Sequence, residues 1–301
     1  MKPSPSSDSL TGRELATQPD CWRRAAEAAA SAAGLPRPGE RVAVTGCGTS
    51  WFMAQSYAAL REAAGQGATD AFAASEFPLT RPYDRVVAIT RSGTTTEVLR
   101  LLDAVRAPTL AITADPKTPV MDAADEVAVL DWADEESVVQ TRFATTALAY
   151  LRTAVEGTGP VVAAAADAEW ALADPLPAAA LEAEQWTFLG SGWTYGLAQE
   201  AALKMREAAG AWTESYPAME YRHGPVAIAA PGRVVWGFGT LPEGLPADVT
   251  RTGATLTPTD TTRDPMAHLV RAQRLAVAVA ESRGLNPDTP RNLTRSVVLG
   301  E

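Results

Sequence analysis

Two apolar runs, RVAV (residues 41–44) and RVVAI (residues 85–89), each lead into a loop dense in Gly, Ser and Thr. The loops are GCGTSW (Gly46 to Trp51) and TRSGTTTEV (Thr90 to Val98), and helical apolar spacing follows each. A strand that delivers such a loop into a helix is the repeating unit of an α/β fold. At a helix N-terminus the first N–H groups lack partners and the dipole favours negative charge, so an anion fits there. Either loop alone fits ordinary N-capping by Ser or Thr. The pair, each after a strand, favours a bound phosphate. GCGTSW lacks the Lys-Ser/Thr ending of a Walker A loop, and its glycines are not spaced as G-x-G-x-x-G. A nucleotide is therefore not the expected ligand.

The alternation continues along the chain. A helix is expected over 19–33, with Pro19 near its start and Gly34 after its end. Strands are expected near 41–45, 68–72, 85–90, 109–113 and 126–130, and helices near 50–64, 94–105, 118–123 and 138–155. This pattern predicts a doubly wound parallel sheet. An Ala/Pro-rich stretch over 159–180 reads as part linker and part helix. The theme then returns as the strand WTFLG (Trp186 to Gly190) and a helix over 194–209. Strands near 233–238 and 253–257 and a helix near 264–283 complete it. GSGWTYGLAQEAAL and GCGTSWFMAQSYAAL align as strand, Gly-rich turn and helix, which indicates a duplicated α/β unit. The second copy has a short connection between its last strands and is expected to lack a full crossover helix. The expected organisation is a tail and helix over 1–39, a first domain over 40–158, a linker or helix over 159–183 and a second domain over 184–301.

Composition narrows the partners. The net charge of −10 argues against nonspecific nucleic-acid binding and against anionic membrane surfaces. No apolar run reaches the ~20 residues of a membrane span. The first residues, MKPSPSSDSLTGRE, lack the apolar centre of a signal peptide, and residues 1 to about 11 read as a mobile Ser/Pro-rich tail. These features point to a cytoplasmic protein. The two cysteines, Cys21 and Cys47, form neither a disulfide framework nor a metal cluster, and Cys47 is expected to pack as a small apolar residue. No metal site and no redox or nucleotide cofactor is expected.

The chemistry concentrates near residue 200. Glu200, Lys204 and Glu207 share one helix face at i, i+4 and i+7. On spacing alone they read equally as a solvated ion-pair ladder. The segment that follows, Glu214 to Pro225, contains His223, one of only two histidines, in an unusual Arg-His-Gly-Pro turn. Histidine changes charge near neutral pH. The other, His268, lies in an expected amphipathic helix and reads as structural or surface.

At these residues the chain resembles double sugar-isomerase (SIS) domain proteins. It is most similar to the isomerase domain of glucosamine-6-phosphate synthase and to the related sugar-phosphate isomerases and deaminases. The resemblance runs from about residue 13 to the C-terminus. RELATQPDCWRR resembles the family's Glu-x-x-x-Gln-Pro opening, and Cys47-Gly48-Thr49-Ser50 its Cys-Gly-Thr-Ser loop. Ala74 to Phe77 resembles Ala-Ser-Glu-Phe, and Thr90-Arg91-Ser92-Gly93-Thr94-Thr95 the phosphate loop Ser-Gln-Ser-Gly-Glu-Thr. Glu200 to Glu207 resembles Glu-Gly-Ala-Leu-Lys-Leu-Lys-Glu, and Arg222-His223-Gly224-Pro225 resembles Lys-His-Gly-Pro. Pro290 to Val297 resembles Pro-Arg-Asn-Leu-Ala-Lys-Ser-Val.

The resemblance implies two SIS subdomains, each a doubly wound, mainly parallel sheet in a three-layer α/β/α sandwich. It implies that Ser50, Thr90, Ser92 and Thr95 hold a sugar phosphate, with Gly48 in the loop and Thr49 near a hydroxyl. Gln140 and Thr141 align with a loop that contacts the sugar. Glu207 would be the general base between C1 and C2, Lys204 would stabilise the enediolate, and Glu200 would be among the substrate-binding residues. His223 would assist ring opening, reaching in from the partner subunit of a homodimer. A positioned carboxylate and a fixed positive charge suit proton removal next to a carbonyl. Two departures matter. The family's Schiff-base lysine is Arg295 here, which stays protonated and cannot act as that nucleophile. Arg295 is left to bind the phosphate or a sugar hydroxyl. Arg91 stands where the family has glutamine, either as an added charge-assisted phosphate contact or as a surface residue. No glutamine amidotransferase half is present, so synthase chemistry is not expected.

The expected function is C2 proton abstraction on an amino-sugar or hexose 6-phosphate, giving aldose–ketose isomerisation with or without deamination. One alternative is a lyase (dehydratase) that eliminates across C2 and C3 of N-acetylglucosamine 6-phosphate. Another is a non-catalytic sugar-phosphate sensor, which would not need Glu207 and His223 together.

Overall fold

A computed structural model of the chain describes residues 9–257 and 260–300. The mobile tail expected at the start falls mostly on residues 1–8, outside the described residues. From Ser9 onward the chain is ordered helix: Ser9 caps Leu10–Leu15, its side chain accepting from the Gly12 N–H. The chain forms two compact units, one of residues 20–136, 140–163 and 294–300, the other of residues 9–19, 137–139 and 164–293.

The first unit is built on five parallel strands, β1 (Val42–Gly46), β2 (Thr69–Ala73), β3 (Arg85–Ile89), β4 (Thr109–Thr113) and β5 (Glu126–Val129), in the order β2-β1-β3-β4-β5. Register is set by Val42 opposite Thr69 on one side and opposite Arg85 on the other. Every residue of β1, β3 and β4 is buried. That is why these strands read as continuous apolar runs rather than alternating ones: helices cover both faces of a parallel sheet. The helix Thr49–Ala63 packs on β1, β2 and the helix Arg142–Glu156. Trp22, wholly buried, donates its indole N–H to Thr145 Oγ1 at 2.9 Å and fastens the helix Gln18–Ala29. Because β2 and β3 lie on opposite sides of β1, the strand order reverses between β1 and β3, and the carboxyl edge at such a reversal is the usual ligand position in these sheets.

The second unit repeats this order with four parallel strands, β6 (Gln185–Gly190), β7 (Thr213–Pro217), β8 (Arg233–Gly237) and β9 (Thr255–Thr257), arranged β7-β6-β8-β9. The duplication seen in the two Gly-rich turns therefore extends to topology, with no counterpart of β5 among the described residues. The helix Thr194–Ala209 packs on β6, β7 and the helix Pro265–Ser282. It ends where Gly210 takes the left-handed conformation (φ 57°).

Two elements differ from the sequence expectation. β7, with the sequence TESYP, carries Glu and Pro in place of β-branched residues and is an edge strand, where a terminal Pro is tolerated. The Ala/Pro-rich stretch is part helix and part linker, as expected: a helix over Thr158–Ala173, a loop over 174–177 and a single helical turn over Ala178–Leu181. Pro160 falls in its first turn, where no N–H partner is needed. Between β8 and β9 the chain does make a helix, Leu245–Arg251, of two turns.

Candidate active site

In the first unit, both Gly/Ser/Thr loops leave the carboxyl ends of β1 and β3. Gly46 admits no side chain, since a Cβ there would lie 2.6 Å from Ser50 Cβ. The chain turns at Gly48 (φ 54°) into the helix Thr49–Ala63, with Thr49 and Ser50 buried in its first turn. In the second loop, Thr90 continues the ladder through its N–H to the Ile112 carbonyl (2.9 Å). Its hydroxyl is buried and has no partner among the described residues. Ser92 Oγ accepts from the Thr94 N–H (3.3 Å) and hydroxyl (3.1 Å). Gly93 has φ 63°, and a side chain there would collide with Thr118 Oγ1. Thr95 is the N-cap of the helix Thr96–Ala104 but makes no side-chain capping bond. The N–H groups of Ser92, Gly93 and Thr95 find no acceptor among the described residues. Three uncommitted amides and a buried idle hydroxyl at a helix N-terminus make an anion cradle.

The tail of the chain lies along this loop. Arg91, buried rather than at the surface, donates from Nη2 to the Arg295 carbonyl at 2.8 Å. The Thr94 hydroxyl bonds Ser296 Oγ at 3.0 Å, the Thr96 N–H donates to the Val297 carbonyl at 3.2 Å, and the Leu299 N–H donates to Thr96 Oγ1 at 3.0 Å. The Arg295 guanidinium is engaged elsewhere, paired with Asp134 at 2.5 Å and donating to the Glu135 carbonyl. Glu135, 1% exposed, accepts at one oxygen from the Thr141 N–H and hydroxyl (2.7 Å each) and the Arg142 N–H (2.9 Å). Its other oxygen accepts from the Phe143 N–H at 3.2 Å. Glu135 thus caps the helix Arg142–Glu156, and Thr141 is committed to it. Gln140 Oε1 is buried with no partner among the described residues.

In the second unit the helix Thr194–Ala209 carries the carboxylates and the lysine. Its Ala- and Leu-rich sequence favours helix and buries one face against β6 and β7. Glu200 is 0% exposed and Lys204 1%, so the ladder is not solvated. Lys204 Nζ lies 3.4 Å from Glu200 Oε1 and is ion-paired with Glu207. Glu207 alone of the three reaches outward, with 20% of its side chain exposed. It opens onto a cavity of about 350 Å³ lined also by Arg206, Asn286, Thr289, Arg291 and Asn292. The lysine thus sits between two carboxylates, of which the outer one reaches the cavity beside Arg206 and Arg291. His223 does not line that cavity. It follows a single turn, Glu220–Arg222, and is exposed. Arg222 fixes that turn through Asp248 (2.7 Å) and the Glu243 carbonyl (2.7 Å).

Sequence reasoning assigned no role to Asp134, Glu135, Asn286, Asp288 or Arg291. Arg291 and Asn292 lie inside the quoted Pro-Arg-Asn-Leu motif, the one signal that could have flagged them. The capping by Glu135 has no such signal, because the residues it serves lie six to eight positions on. No helix among the described residues is long and apolar enough to cross a membrane.

Residues 37–155 match the SIS domain family. The glutamine–fructose-6-phosphate aminotransferase (isomerizing) of a Nostoc species is 25% identical over 86% of this chain and 52% of its own length. The enzyme of that name from Methanothermobacter thermautotrophicus is 29% identical over the same shares. The chain thus spans about half the length of the curated relatives it matches. Among solved structures, the Thermotoga maritima glucosamine-6-phosphate deaminase superimposes with a TM-score of 0.83 at 24% identity, covering 97% of this chain and 100% of that one. The tagatose-6-phosphate ketose/aldose isomerase of Escherichia coli gives 0.76 at 18% identity, covering 99% of both. With its parallel sheets, their repeated strand order and the SIS match on the first of them, the chain has a tandem SIS-domain fold resembling the isomerase domain of glucosamine-6-phosphate synthase and related sugar-phosphate isomerases.

Proposed function

We propose that the protein is a phosphosugar-processing enzyme of the isomerase or deaminase type. It acts on an amino-sugar or hexose 6-phosphate by moving a proton between C1 and C2. The observation that carries this reading is the placement of Lys204. A lysine buried between two carboxylates is costly to desolvate and is weak as a stability device. It is well suited to hold a fixed positive charge beside a working carboxylate. Glu207, at the cavity end of that cluster, takes the proton. Lys204 offsets the charge of the developing enediolate, and Glu200 holds Lys204 in place.

The phosphate sits in the cradle of Thr90, Ser92 and Thr95, with Ser50 and Thr49 supplying hydroxyls from the neighbouring loop. Gln140, whose amide oxygen is otherwise idle, meets the sugar. His223 assists ring opening from the partner subunit of a homodimer. The names of the similar proteins support the substrate class, since each refers to an aldose or ketose 6-phosphate or its amination. Arg295 offers no amine for a Schiff base, so the route runs through the enediolate alone.

The test is incubation with the 6-phosphates of glucose, fructose, glucosamine, N-acetylglucosamine and galactosamine in D2O, followed by proton NMR and mass spectrometry. Deuterium at C2 of an aldose or C1 of a ketose is the expected result. Released ammonia together with a product in which oxygen has replaced nitrogen identifies deamination, and a loss of water replaces this reading with elimination. Binding without exchange across the panel identifies a sensor instead.

A further inference from the structure

The cavity onto which Glu207 opens owes one wall to a loop: Asn286, Thr289, Pro290, Arg291 and Asn292 all line it. A polar loop opens at low cost unless something outside it fixes its backbone. The fixing group is Asp288. Its Oδ1 accepts from the Thr11 N–H and the Thr11 hydroxyl, both at 2.7 Å, and its Oδ2 accepts from the Leu10 N–H at 3.0 Å. Those amides begin the helix Leu10–Leu15 and would otherwise lack partners, and a carboxylate there also gains from the helix dipole. The main chain of Asp288 is held as well. Its N–H donates to Asn286 Oδ1 at 2.9 Å, and its carbonyl accepts from the Val138 N–H at 2.9 Å. Asp288 does not itself line the cavity. The helix it grips keeps a second cap, Ser9 on the Gly12 N–H, so removing Asp288 releases the wall more than it melts the helix.

We propose that Asp288 is a positioning residue for the Glu207 site. By gripping Leu10 and Thr11 it holds Thr289 to Asn292 in the geometry that receives the substrate. This rests on reading the cavity beside Glu207 as the substrate site. Loss of the grip weakens binding and leaves the proton-abstracting group intact, so it raises KM and spares kcat.

The experiment compares the wild type with Asp288→Ala, Asp288→Asn, Thr11→Val and Glu207→Gln. Exchange at C2 of glucosamine 6-phosphate gives kcat and KM, calorimetry with the unreactive glucitol 6-phosphate gives Kd, and a thermal scan gives Tm. Asp288→Ala is expected to raise KM and Kd on the order of 10-fold, the loss of one to two charge-assisted hydrogen bonds, with kcat within about 3-fold. Asp288→Asn and Thr11→Val are expected to shift the same quantities less, in the same direction. A lowered Tm with unchanged KM and Kd in the folded variants overturns the proposal. Should Asp288→Ala fail to fold, unchanged constants in the other two variants overturn it equally. Wild type that binds glucitol 6-phosphate without exchange sinks the enzymatic reading, and the Kd series still decides Asp288. Wild type that does neither overturns both.

Discussion

Lys204 and Glu207 are ion-paired one helical turn apart, yet the lysine is 1% exposed and the glutamate opens onto a cavity. A surface pair would share one environment. This pair spans the boundary between core and cavity, with the lysine inside and the carboxylate at the opening.

Replacing Glu207 with Gln keeps the shape of the site and removes the base that the proposed mechanism needs. Solvent-deuterium exchange into glucosamine 6-phosphate is expected to fall by at least ~10²-fold, the low end for general-base catalysis. Affinity for glucitol 6-phosphate should stay within about 3-fold. Exchange that survives in this variant removes Glu207 from the mechanism.

Lys204→Met breaks the buried cluster from its centre and leaves the Glu200 carboxylate without its cation. Removing one partner of a buried pair costs about 3–5 kcal/mol. The double variant Lys204→Met/Glu200→Leu should recover most of that loss in urea unfolding and remain inactive. Recovery of activity along with stability would show that the cluster is only structural.

Thr90→Val tests the phosphate cradle without disturbing the fold. The Thr90 hydroxyl is buried and unpartnered among the described residues, so an isosteric methyl costs nothing in lost internal bonds. Tm is expected to hold or rise, while affinity for glucitol 6-phosphate falls about 5-fold or more. A lower Tm with unaltered affinity would place that hydroxyl outside the ligand site.

Cys47 stands beside the first loop and packs against the core cluster of Ala74, Ala88 and Val98. Burial, with the negative charge of Glu97 added, pushes its thiol up to about 11. At neutral pH it is protonated and a poor nucleophile. Ellman's reagent is expected to react with the native protein at least ~10²-fold more slowly than with free cysteine. Fast labelling at Cys47 would contradict that burial.

His268 carries a pH signature. It is 1% exposed, donates from Nε2 to the Asp260 carbonyl at 2.8 Å and meets Trp170 edge-on. Burial lowers its pKa from 6.5, opposed by the Asp260 carbonyl; Arg271 lowers it further, and the charges of Asp260 and Asp264 oppose. The folded state therefore favours neutral imidazole, while the unfolded chain takes up a proton as pH falls below 6.5. The stabilisation is present above that pH and is lost below it. Between about pH 7 and about pH 5.5, Tm of the wild type should fall more steeply than that of His268→Gln. Parallel curves would refute the assignment.

Much of this molecule was legible in the sequence for one reason: strands buried on both faces and helices with a single buried face leave strong periodic signals. β1, β3, β4 and β6 were found within one or two residues. β7 was missed because TESYP takes its place from its neighbour β6 rather than from propensity. The two Gly/Ser/Thr-rich turns were legible because their glycines meet local steric demands. The burial of Lys204 was not, since i, i+4 spacing is the same on a wet or a dry face. Asp288 and Glu135 were invisible for a different reason. Each caps a helix to which it does not belong, and such tertiary caps have no fixed spacing. The contacts of Arg91 with the tail and of the Arg295 side chain with Asp134 have no signal in the sequence either, since each joins residues far apart along the chain.

The membership of the two units has a consequence for how the protein is made. The unit that holds the loop from Thr90 to Thr96 begins at Asp20, yet its hydrogen bonds to Arg295, Ser296, Val297 and Leu299 must wait for the far end of the chain. The other unit recruits the helix Leu10–Leu15, synthesised well before the rest of it. The unit with the five-stranded sheet cannot make those tail contacts during translation of that sheet. A fragment ending at residue 163 would present the cradle with its tail contacts unmade, so a nascent chain carries the parts of an anion site before it carries a finished one.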